Sequence, residues 1–438
     1  MWEYLPLALV VALLALWVVG LHAAQRRGFL EPRHLHPAGP FLMWKTARGR
    51  AFIERLSQPK RFWRFFGDAS LAIVGLTMIG TTALLIWEAT IVQTPAVREN
   101  APSPQLLLGL PGINPLIPLW YGIFGLAIAI VLHEFSHGIL ARVANIRIRS
   151  LGVIFFLLPI GAFVEPDEDE MKVLPRRERA RLYAAGPATN MILALLFAFL
   201  FSSVMMSSVA PVHDGVGIVS FTPDSPIQAA GAAPFTVITS VNGTEIRSYA
   251  DFTRVKGTLH ANDTIPITTY DGSQYRTFNV TLAADASGGP LFGFFGVDTT
   301  TDYYHPLSNP SRFGGVSGAI LVYIALPFTG YAPIDSPHVE FYRVTGPLSA
   351  IPAPLFWVLA NTMYWLFWLN VMLGATNSLP AVPLDGGYIF KDALESLVSR
   401  VRRGIGAEAR DKIVRQISYT SALLILALIL WQLIGPRI

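Results

Sequence analysis

The sequence contains no cysteine, and this absence removes a whole range of chemistry. Disulfide bonds, thiolate metal ligands and a cysteine nucleophile are all excluded over the 438 residues. Charged residues are also scarce, at 14% of the chain, whereas a soluble globular chain carries about 25%. Hydrophobic residues make up 52% and are concentrated in long apolar runs. The composition therefore predicts a polytopic membrane protein.

Six apolar runs are each long enough to cross a hydrocarbon core of about 30 Å. They lie near residues 4–23, 69–93, 117–141, 187–210, 352–379 and 416–434. A shorter apolar stretch near 315–329 is ambiguous and fits a re-entrant or interfacial piece. No basic segment precedes the first run and no clear cleavage site follows it. We therefore expect a retained first span rather than a signal peptide.

Basic residues are concentrated in three of the segments that join these runs. The three segments are 25–68, 142–185 and 380–415, whereas the loop 94–116 has Arg98 as its one basic residue. The positive-inside rule then predicts a multi-pass protein of the cell membrane with these segments in the cytoplasm and both termini outside. The net charge of +4 reflects this topology, and we expect no nucleic-acid partner. Aromatic residues among the arginines of 25–68 favour an interfacial amphipathic segment over a regulatory partner site.

One region differs from the rest in composition. Residues 211–300 are rich in Thr, Asp, Gly and Asn, with turn signals at Asn242-Gly243 and Asp271-Gly272. They predict a small, mostly β soluble domain on the extracytoplasmic side. The expected fold class is a polytopic α-helical membrane protein of about six transmembrane helices with this domain inserted. The expected parts are two transmembrane helices over 1–94, a core over 117–210 and 301–395, and a basic segment with the last helix over 396–438.

The third apolar run carries ionisable residues, which are costly inside a membrane span and therefore point to a functional site. His133 and His137 are four residues apart, so both imidazoles lie on one helical face and can reach a single metal ion. Glu134 projects about 100° away from them. There it can face a metal-bound water and accept its proton. The plainer alternative is a pair of histidines that are satisfied by hydrogen bonds between helices.

A catalytic zinc ion needs a third protein ligand, and Asp385 is the candidate. It follows the run 352–379, which the topology directs toward the same side of the membrane as the histidines. Pro380 and Pro383 end the helix, and the two glycines after Asp385 let the backbone turn tightly around the carboxylate. The plainer alternative is an aspartate that caps a helix or stabilises a turn.

Together these motifs resemble the site-2 protease family of intramembrane zinc metalloproteases. The resemblance rests on H-E-x-x-H inside a span, followed far downstream by N-x-x-P-x-x-P-L-D-G-G from Asn377. Residues 186–190 match the family's G-P-x-x-N, and the stretch 150–170 looks like its membrane-associated β-hairpin. The inserted domain resembles a PDZ domain, and residues 215–218 look like its carboxylate-binding loop. The resemblance covers roughly residues 117–395.

The resemblance implies that Zn²⁺ is bound by His133, His137 and Asp385, with Glu134 as the general base. It also implies that Asn190 and Asn377 hold the substrate backbone or the developing oxyanion. The expected substrate is a transmembrane protein, with single-pass proteins favoured, that is cut within or near its span in regulated intramembrane proteolysis. The expected active site lies in the lipid bilayer near its cytoplasmic side, and the PDZ-like domain is a candidate peptide-binding module.

Other functions stay open at this stage. A zinc protease of prenylated or other membrane-anchored peptides also has H-E-x-x-H in a span, but its third ligand is a glutamate. A catalytically inactive adaptor or chaperone on the same scaffold usually loses the glutamate or a ligand, and all are present here. A zinc transporter is a further alternative. Neither an adaptor nor a transporter needs the Glu134 carboxylate, so the activity and zinc content of a Glu134→Gln variant distinguish these functions.

Overall fold

A computed structural model describes residues 5–99, 101, 103–107, 109–156, 158–402 and 404–438. The chain divides into two compact units, one formed by Met1–Leu195 with Leu366–Ile438 and the other by Leu196–Trp365. The α-helices are α1 (Leu5–Arg26), α2 (Arg50–Leu56), α3 (Lys60–Ile91), α4 (Pro95–Glu99), α5 (Leu119–Val143), α6 (Glu168–Lys172), α7 (Arg176–Phe199), α8 (Pro226–Ala229), α9 (Tyr249–Lys256), α10 (Val316–Ala325), α11 (Ala353–Asn377), α12 (Asp385–Val401) and α13 (Ala407–Ile434). The β-strands are β1 (Leu35–Ala38), β2 (Phe41–Thr46), β3 (Ile148–Phe156), β4 (Leu158–Pro166), β5 (Val209–Pro211), β6 (Val216–Phe221), β7 (Val237–Val241), β8 (Thr244–Glu245), β9 (Thr264–Tyr270), β10 (Tyr275–Thr281), β11 (Ala283–Ala284), β12 (Pro290–Leu291), β13 (Phe294–Asp298) and β14 (Tyr342–Val344).

Long apolar helices dominate the architecture, so the chain is a polytopic helical membrane protein, as its composition predicts. Among the described residues, five helices are long and apolar enough to cross a membrane, namely Lys60–Ile91, Leu119–Val143, Arg176–Ser208, Ala353–Asn377 and Ala407–Arg437. The first predicted span corresponds to α1, whose portion Ala12–Arg26 is an apolar helix. Several helices begin about nine residues before the apolar run does, because helical hydrogen bonding continues through polar turns that lie beyond the hydrocarbon layer.

The ambiguous stretch 315–329 forms a short helix. It consists of α10, with ten residues, and a 3₁₀ turn over Leu326–Thr329. Ten α-helical residues rise about 15 Å, which is half the thickness of a hydrocarbon core. By length, α10 does not cross a membrane, which agrees with the re-entrant or interfacial interpretation.

A four-stranded antiparallel sheet in the first unit has the order β1-β2-β3-β4. The predicted hairpin over 150–170 is present as β3 and β4, which pair along their lengths. Within the basic segment 25–68, residues 35–46 form two strands that extend the hairpin into a sheet. The turn between these strands is Gly39-Pro40, and Gly39 adopts a positive φ of 63°.

The sheet is held against the third apolar helix by a small hydrophobic core. Val164 of β4 packs with Ile139 and Leu140 of α5 and with Ile53 of α2, and all four side chains are buried. Trp63 and Phe66 of α3 cover the edge of this cluster. Because β4 is the last strand of the sheet, this packing brings an edge strand alongside the helix that carries the H-E-x-x-H motif.

The second unit contains the predicted mostly β region. Its main sheet has the order β10-β9-β7-β6-β13, with β8 paired to β7, and its strands run from residue 216 to residue 298. The predicted turn at Asn242-Gly243 joins β7 and β8, and both residues have a positive φ as a tight hairpin turn requires. The core of the sheet is apolar and fully enclosed, and it contains Val216, Ile218, Ile227, Ile238, Ile267 and Val280.

The expectation that residues 215–218 form a carboxylate-binding loop is wrong. Residues 216–218 lie in β6, which pairs with β7 on one side and with β13 on the other. The backbone N–H of Ile218 donates to the Thr236 carbonyl at 2.9 Å. Because these backbone groups already have partners within the sheet, they are not free to receive a peptide carboxylate.

Candidate metal centre

The two histidines of α5 meet as their spacing predicts. His133 and His137 lie one helical turn apart, and both are buried. Their Nε2 atoms are 3.1 Å apart. Helical geometry alone places both rings on one face of α5, and burial by the neighbouring helices holds them there.

Asp385 reaches the same point from the other end of the sequence. Its Oδ2 lies 3.1 Å from His133 Nε2 and 3.3 Å from His137 Nε2. Asp385 is the first residue of α12. The next two residues are glycines that touch the preceding backbone: a Cβ on Gly386 would lie 2.2 Å from the Ser378 carbonyl oxygen, and a Cβ on Gly387 would lie 2.4 Å from the Ala381 carbonyl carbon. The glycines of the L-D-G-G motif therefore allow two backbone segments to touch, which sets the position of the carboxylate.

The remaining nitrogen of each imidazole is held by α7. His137 Nδ1 lies 2.7 Å from the Leu182 carbonyl, which can only accept, so Nδ1 carries the proton. His133 Nδ1 lies 2.5 Å from Asn190 Oδ1 and donates in the same way. The Nε2 atom of each ring therefore carries no proton, and its lone pair faces the Asp385 carboxylate. Three acceptors at this separation are stabilised by a shared cation.

Asn190 is oriented by a second asparagine that the sequence reasoning missed. Asn190 Nδ2 donates to Asn370 Oδ1 at 2.8 Å and to the Ala129 carbonyl at 3.1 Å, which turns Oδ1 toward His133. Asn370 is itself fixed, because its Nδ2 donates to the Leu366 carbonyl at 2.7 Å. Both asparagines are 0% exposed. The sequence signal for Asn370 is an amide side chain within an apolar run, seven residues before Asn377.

Asn377 has a different environment from Asn190. Its Nδ2 donates to the Leu373 carbonyl of its own helix at 3.2 Å, and its side chain is half-buried. Among the described contacts, none joins Asn377 to the three clustered side chains. The structure thus brings Asn190 to the site, through His133, and leaves Asn377 on the last turn of α11.

Gly186 leaves the space that the three ligand atoms face. A Cβ at this position would lie 2.5 Å from His133 Nε2 and 2.5 Å from His137 Nε2. Real Cβ atoms essentially never approach other heavy atoms this closely, so any side chain would enter the point on which the lone pairs converge. The G-P-x-x-N motif therefore has two structural roles, which are to leave room with Gly186 and to orient His133 with Asn190.

Glu134 lies on the neighbouring face of α5 and contacts the edge strand. Its Oε2 accepts a hydrogen bond from the Val164 backbone N–H of β4 at 3.2 Å. The side chain is half-buried, so one oxygen is anchored and the carboxylate is still accessible. This contact ties the sheet to the residue that the motif marks as a base.

The donor atoms fit a zinc ion. Zn²⁺ prefers four tetrahedral ligands from imidazole nitrogen and carboxylate oxygen, and at ligand bonds of about 2.0–2.1 Å neighbouring ligand atoms lie about 3.3 Å apart. The three separations here are 3.1, 3.1 and 3.3 Å. Three protein ligands leave the fourth position open, as in catalytic rather than structural zinc sites.

Similarity to known proteins agrees with this geometry. The sequence profile of Peptidase family M50 matches residues 121–425, which is well over half of the chain. An uncharacterized protein of Methanocaldococcus jannaschii is 25% identical over 369 residues, covering 84% of this chain and 81% of that protein. The zinc metalloprotease RasP of Shouchella clausii is 24% identical over 285 residues, covering 62% of this chain and 63% of that protein.

A solved structure is also similar to part of the chain. The PDZ domain of an SdrC-like protein of Listeria monocytogenes aligns with 19% of this chain and 90% of that chain, with 27% identity and a TM-score of 0.18.

Membrane-spanning helices that bring an H-E-x-x-H pair and a distant aspartate to one point define a membrane-bound zinc metalloprotease. The chain belongs to Peptidase family M50, the site-2 protease family. Asp385 stands where a protease of prenylated peptides would have a glutamate, and the glutamate and ligands that an inactive adaptor usually loses are present.

Proposed function

We propose that this protein hydrolyses peptide bonds within or near the transmembrane segments of other membrane proteins. In this proposal His133, His137 and Asp385 hold the zinc ion, and Glu134 is the general base. One observation carries the proposal. The Nδ1 atoms of two buried imidazoles already donate hydrogen bonds. Their Nε2 atoms lie 3.1 and 3.3 Å from the Asp385 carboxylate, which is 252 residues from His133 in the sequence.

The catalytic steps follow from where the side chains lie. Zinc, when bound, supplies Lewis-acid polarisation of the scissile carbonyl and makes a water molecule more acidic. Glu134 accepts the proton of the attacking water and delivers it to the leaving amine. The hydrogen bond from Val164 N–H engages one carboxylate oxygen and leaves the other oxygen to act as the base. Asn190 and Leu182 hold the imidazole rings in the tautomer that ligation requires.

The edge strand β4 supports a substrate that is bound in an extended conformation. A helical substrate has its carbonyls in hydrogen bonds, so a stretch must unwind before water can attack. Val164 N–H points away from β3 toward Glu134, and the backbone groups of Ala162, two residues earlier, point the same way. A substrate strand that pairs with Ala162 would pass within about 7 Å of the base along the strand. We infer that β4 is the substrate-binding edge.

The order of the helices supports an active site near the cytoplasmic side. Helices α1, α5 and α11 end at basic segments, and helices α3, α7 and α13 begin at them. These basic segments therefore share one side of the membrane, which the positive-inside rule identifies as the cytoplasm. His137 lies five residues from Arg142, or about 8 Å of helical rise. In the same scheme the region 211–300 is extracytoplasmic, where it could restrict access by size rather than capture a terminal carboxylate.

The decisive experiment compares wild type with Glu134→Gln in cleavage of a model transmembrane peptide by purified protein. Zinc content is measured on the same samples. We expect equal zinc in both proteins and a loss of at least about a hundredfold in cleavage rate for the variant. Glu168→Gln, an exposed carboxylate on α6, is the matched control and should cleave like wild type.

Two other outcomes have distinct meanings. Equal cleavage by wild type and Glu134→Gln would overturn the assigned mechanism. Full zinc content without cleavage in any protein, with several transmembrane peptides tried, would instead support the adaptor function.

A further inference from the structure

The four-stranded sheet of the first unit is apolar at one end and charged at the other. At the end formed by the β1–β2 turn, the rings of Phe41 and Phe156 are 5.6 Å apart, and Phe41 is exposed. At the opposite end, Lys45 Nζ lies 2.8 Å from Glu165 Oε2. Such a division is expected of a sheet whose apolar end contacts lipid and whose charged end contacts water.

Contacts with α1 set the depth of the two ends. Trp17 Nε1 donates to the Pro40 carbonyl at 2.7 Å, so the apolar turn lies level with Trp17. From Trp17, α1 runs nine residues, or about 13 Å, before it ends at Arg26. From Phe41, β2 runs back four residues, or about 13 Å, to Lys45. The charged end of the sheet therefore lies level with the point where α1 leaves the apolar layer.

A cavity of about 550 Å³ opens at this level. Its lining includes His34, Trp44, Lys45, Arg48, Arg50 and Ser150. Lys45 is paired with Glu165. Arg48 and Arg50 are exposed and, within the described part of the chain, neither guanidinium has an ion-pair partner. The cavity thus combines two unpaired guanidinium groups with a half-exposed tryptophan at the membrane surface.

We propose that this cavity binds the phosphate of an anionic phospholipid head group. Guanidinium groups bind phosphate oxygens through paired charge-assisted hydrogen bonds, and basic pockets at this depth are suited to lipid head groups. Tryptophan is a side chain of the membrane interface, which favours a lipid over free phosphate as the source of the anion. The inference does not depend on the proposed proteolysis, nor on which side of the membrane the cavity faces.

Native mass spectrometry of delipidated protein in detergent tests the proposal. The protein is titrated with phosphatidylglycerol or with phosphatidylcholine of the same acyl chains, and a further sample receives inorganic phosphate alone. We expect wild type to bind one phosphatidylglycerol about tenfold more tightly than phosphatidylcholine, because two arginines at the surface each favour the anionic lipid. Inorganic phosphate should bind far more weakly than phosphatidylglycerol.

Variants locate the lipid. Arg48→Gln/Arg50→Gln should bind phosphatidylglycerol only as well as phosphatidylcholine, and Arg48→Lys/Arg50→Lys should keep most of the preference. The matched control Arg61→Gln/Arg64→Gln removes the same charge from two exposed arginines outside the cavity and should behave like wild type.

Equal binding of the two lipids by wild type, an equal loss in the control, or phosphate binding as tight as that of phosphatidylglycerol would each overturn the proposal. So would an Arg48→Gln/Arg50→Gln variant that keeps the lipid preference of wild type.

Discussion

At the scale of single residues, the metal centre depends on the absence of a side chain at Gly186 as much as on the ligands themselves. The three ligand atoms converge on a point that any Cβ at this position would approach to 2.5 Å. Gly186 lies inside α7, between helices that are already packed, so the backbone has little freedom to withdraw.

Gly186→Ala should therefore lower zinc affinity by about tenfold or more, since overpacking of this size costs on the order of 1–3 kcal/mol. Zinc content after dialysis against a chelator measures it. Gly75→Ala in α3, where a new Cβ meets nothing within 4 Å, is the control and should retain zinc. Stoichiometric zinc in both variants would show that the ligands do not meet where we place them.

Asn370 is a positioning residue, since among the described hydrogen bonds it is linked to His133 through Asn190. Asn370→Ala removes the acceptor that fixes the Asn190 amide, and we expect zinc affinity to fall about tenfold, as is typical when such a supporting hydrogen bond is lost. Competition with a fluorescent zinc chelator measures the affinity. Asn377→Ala, on the same helix, should leave zinc affinity unchanged. A drop in melting temperature in both variants without any difference in zinc affinity would assign Asn370 a structural role only.

At the scale of secondary-structure elements, the proposed function assigns the presentation of substrate to the link between β4 and α5. Val164 contacts Glu134 through its backbone, and the outward groups of Ala162 lie on the same edge. Among the described strands, the order of the sheet ends at β4, so the outer edge of β4 is available for pairing.

Ala162→Pro removes one outward N–H, while proline is tolerated at a strand edge. We expect kcat/KM for a transmembrane peptide to fall about fivefold, the value of one net hydrogen bond, with zinc content unchanged. Ala162→Gly keeps the N–H and serves as the control. If the proline variant cleaves as fast as the glycine variant, substrate does not pair with β4.

An ion pair between α7 and α12 holds the third ligand in place. Arg179 donates from Nε to Asp392 Oδ2 at 2.9 Å and from its terminal nitrogen to Oδ1 at 2.6 Å. The rings of Tyr183 and Tyr388 stack beside it at 4.8 Å. Asp392 lies two helical turns beyond Asp385, so the pair anchors the helix that begins with the ligand.

Arg179→Met should lower stability by about 3 kcal/mol, because it leaves the buried Asp392 carboxylate without a partner. The double variant Arg179→Met/Asp392→Leu should recover most of that loss, since no charge then stays buried. Thermal unfolding in detergent measures both. A double variant less stable than Arg179→Met would show that the pair contributes net stability beyond the removal of an isolated charge.

At the scale of the whole molecule, the absence of cysteine makes the topology directly measurable. Single cysteines can be introduced without any background thiol. Ala51→Cys lies in the first basic segment and Ala286→Cys in the β-rich region, and both positions are exposed. A membrane-impermeant maleimide should label Ala286→Cys in intact cells and Ala51→Cys only after permeabilisation. The reverse pattern would invert the predicted orientation.

Local sequence patterns are sufficient to predict the membrane class, the helices and the ligand set. Apolar runs must form helices in a bilayer, because every backbone group needs a partner there. The spacing of His133 and His137 specifies one helical face. Asp385 is predictable because both its motif and its side of the membrane are evident from the sequence.

The side chains that support this ligand set depend instead on tertiary packing. The contacts of Asn370 with Asn190, of Gly186 with the two imidazoles, and of Val164 with Glu134 all join separate elements. Strand β1 pairs with β2, and β2 in turn pairs with β3, which lies more than a hundred residues later in the sequence. Hydropathy and helical periodicity cannot predict these contacts, because both describe only neighbouring residues in the sequence. The contacts depend on how distant segments pack.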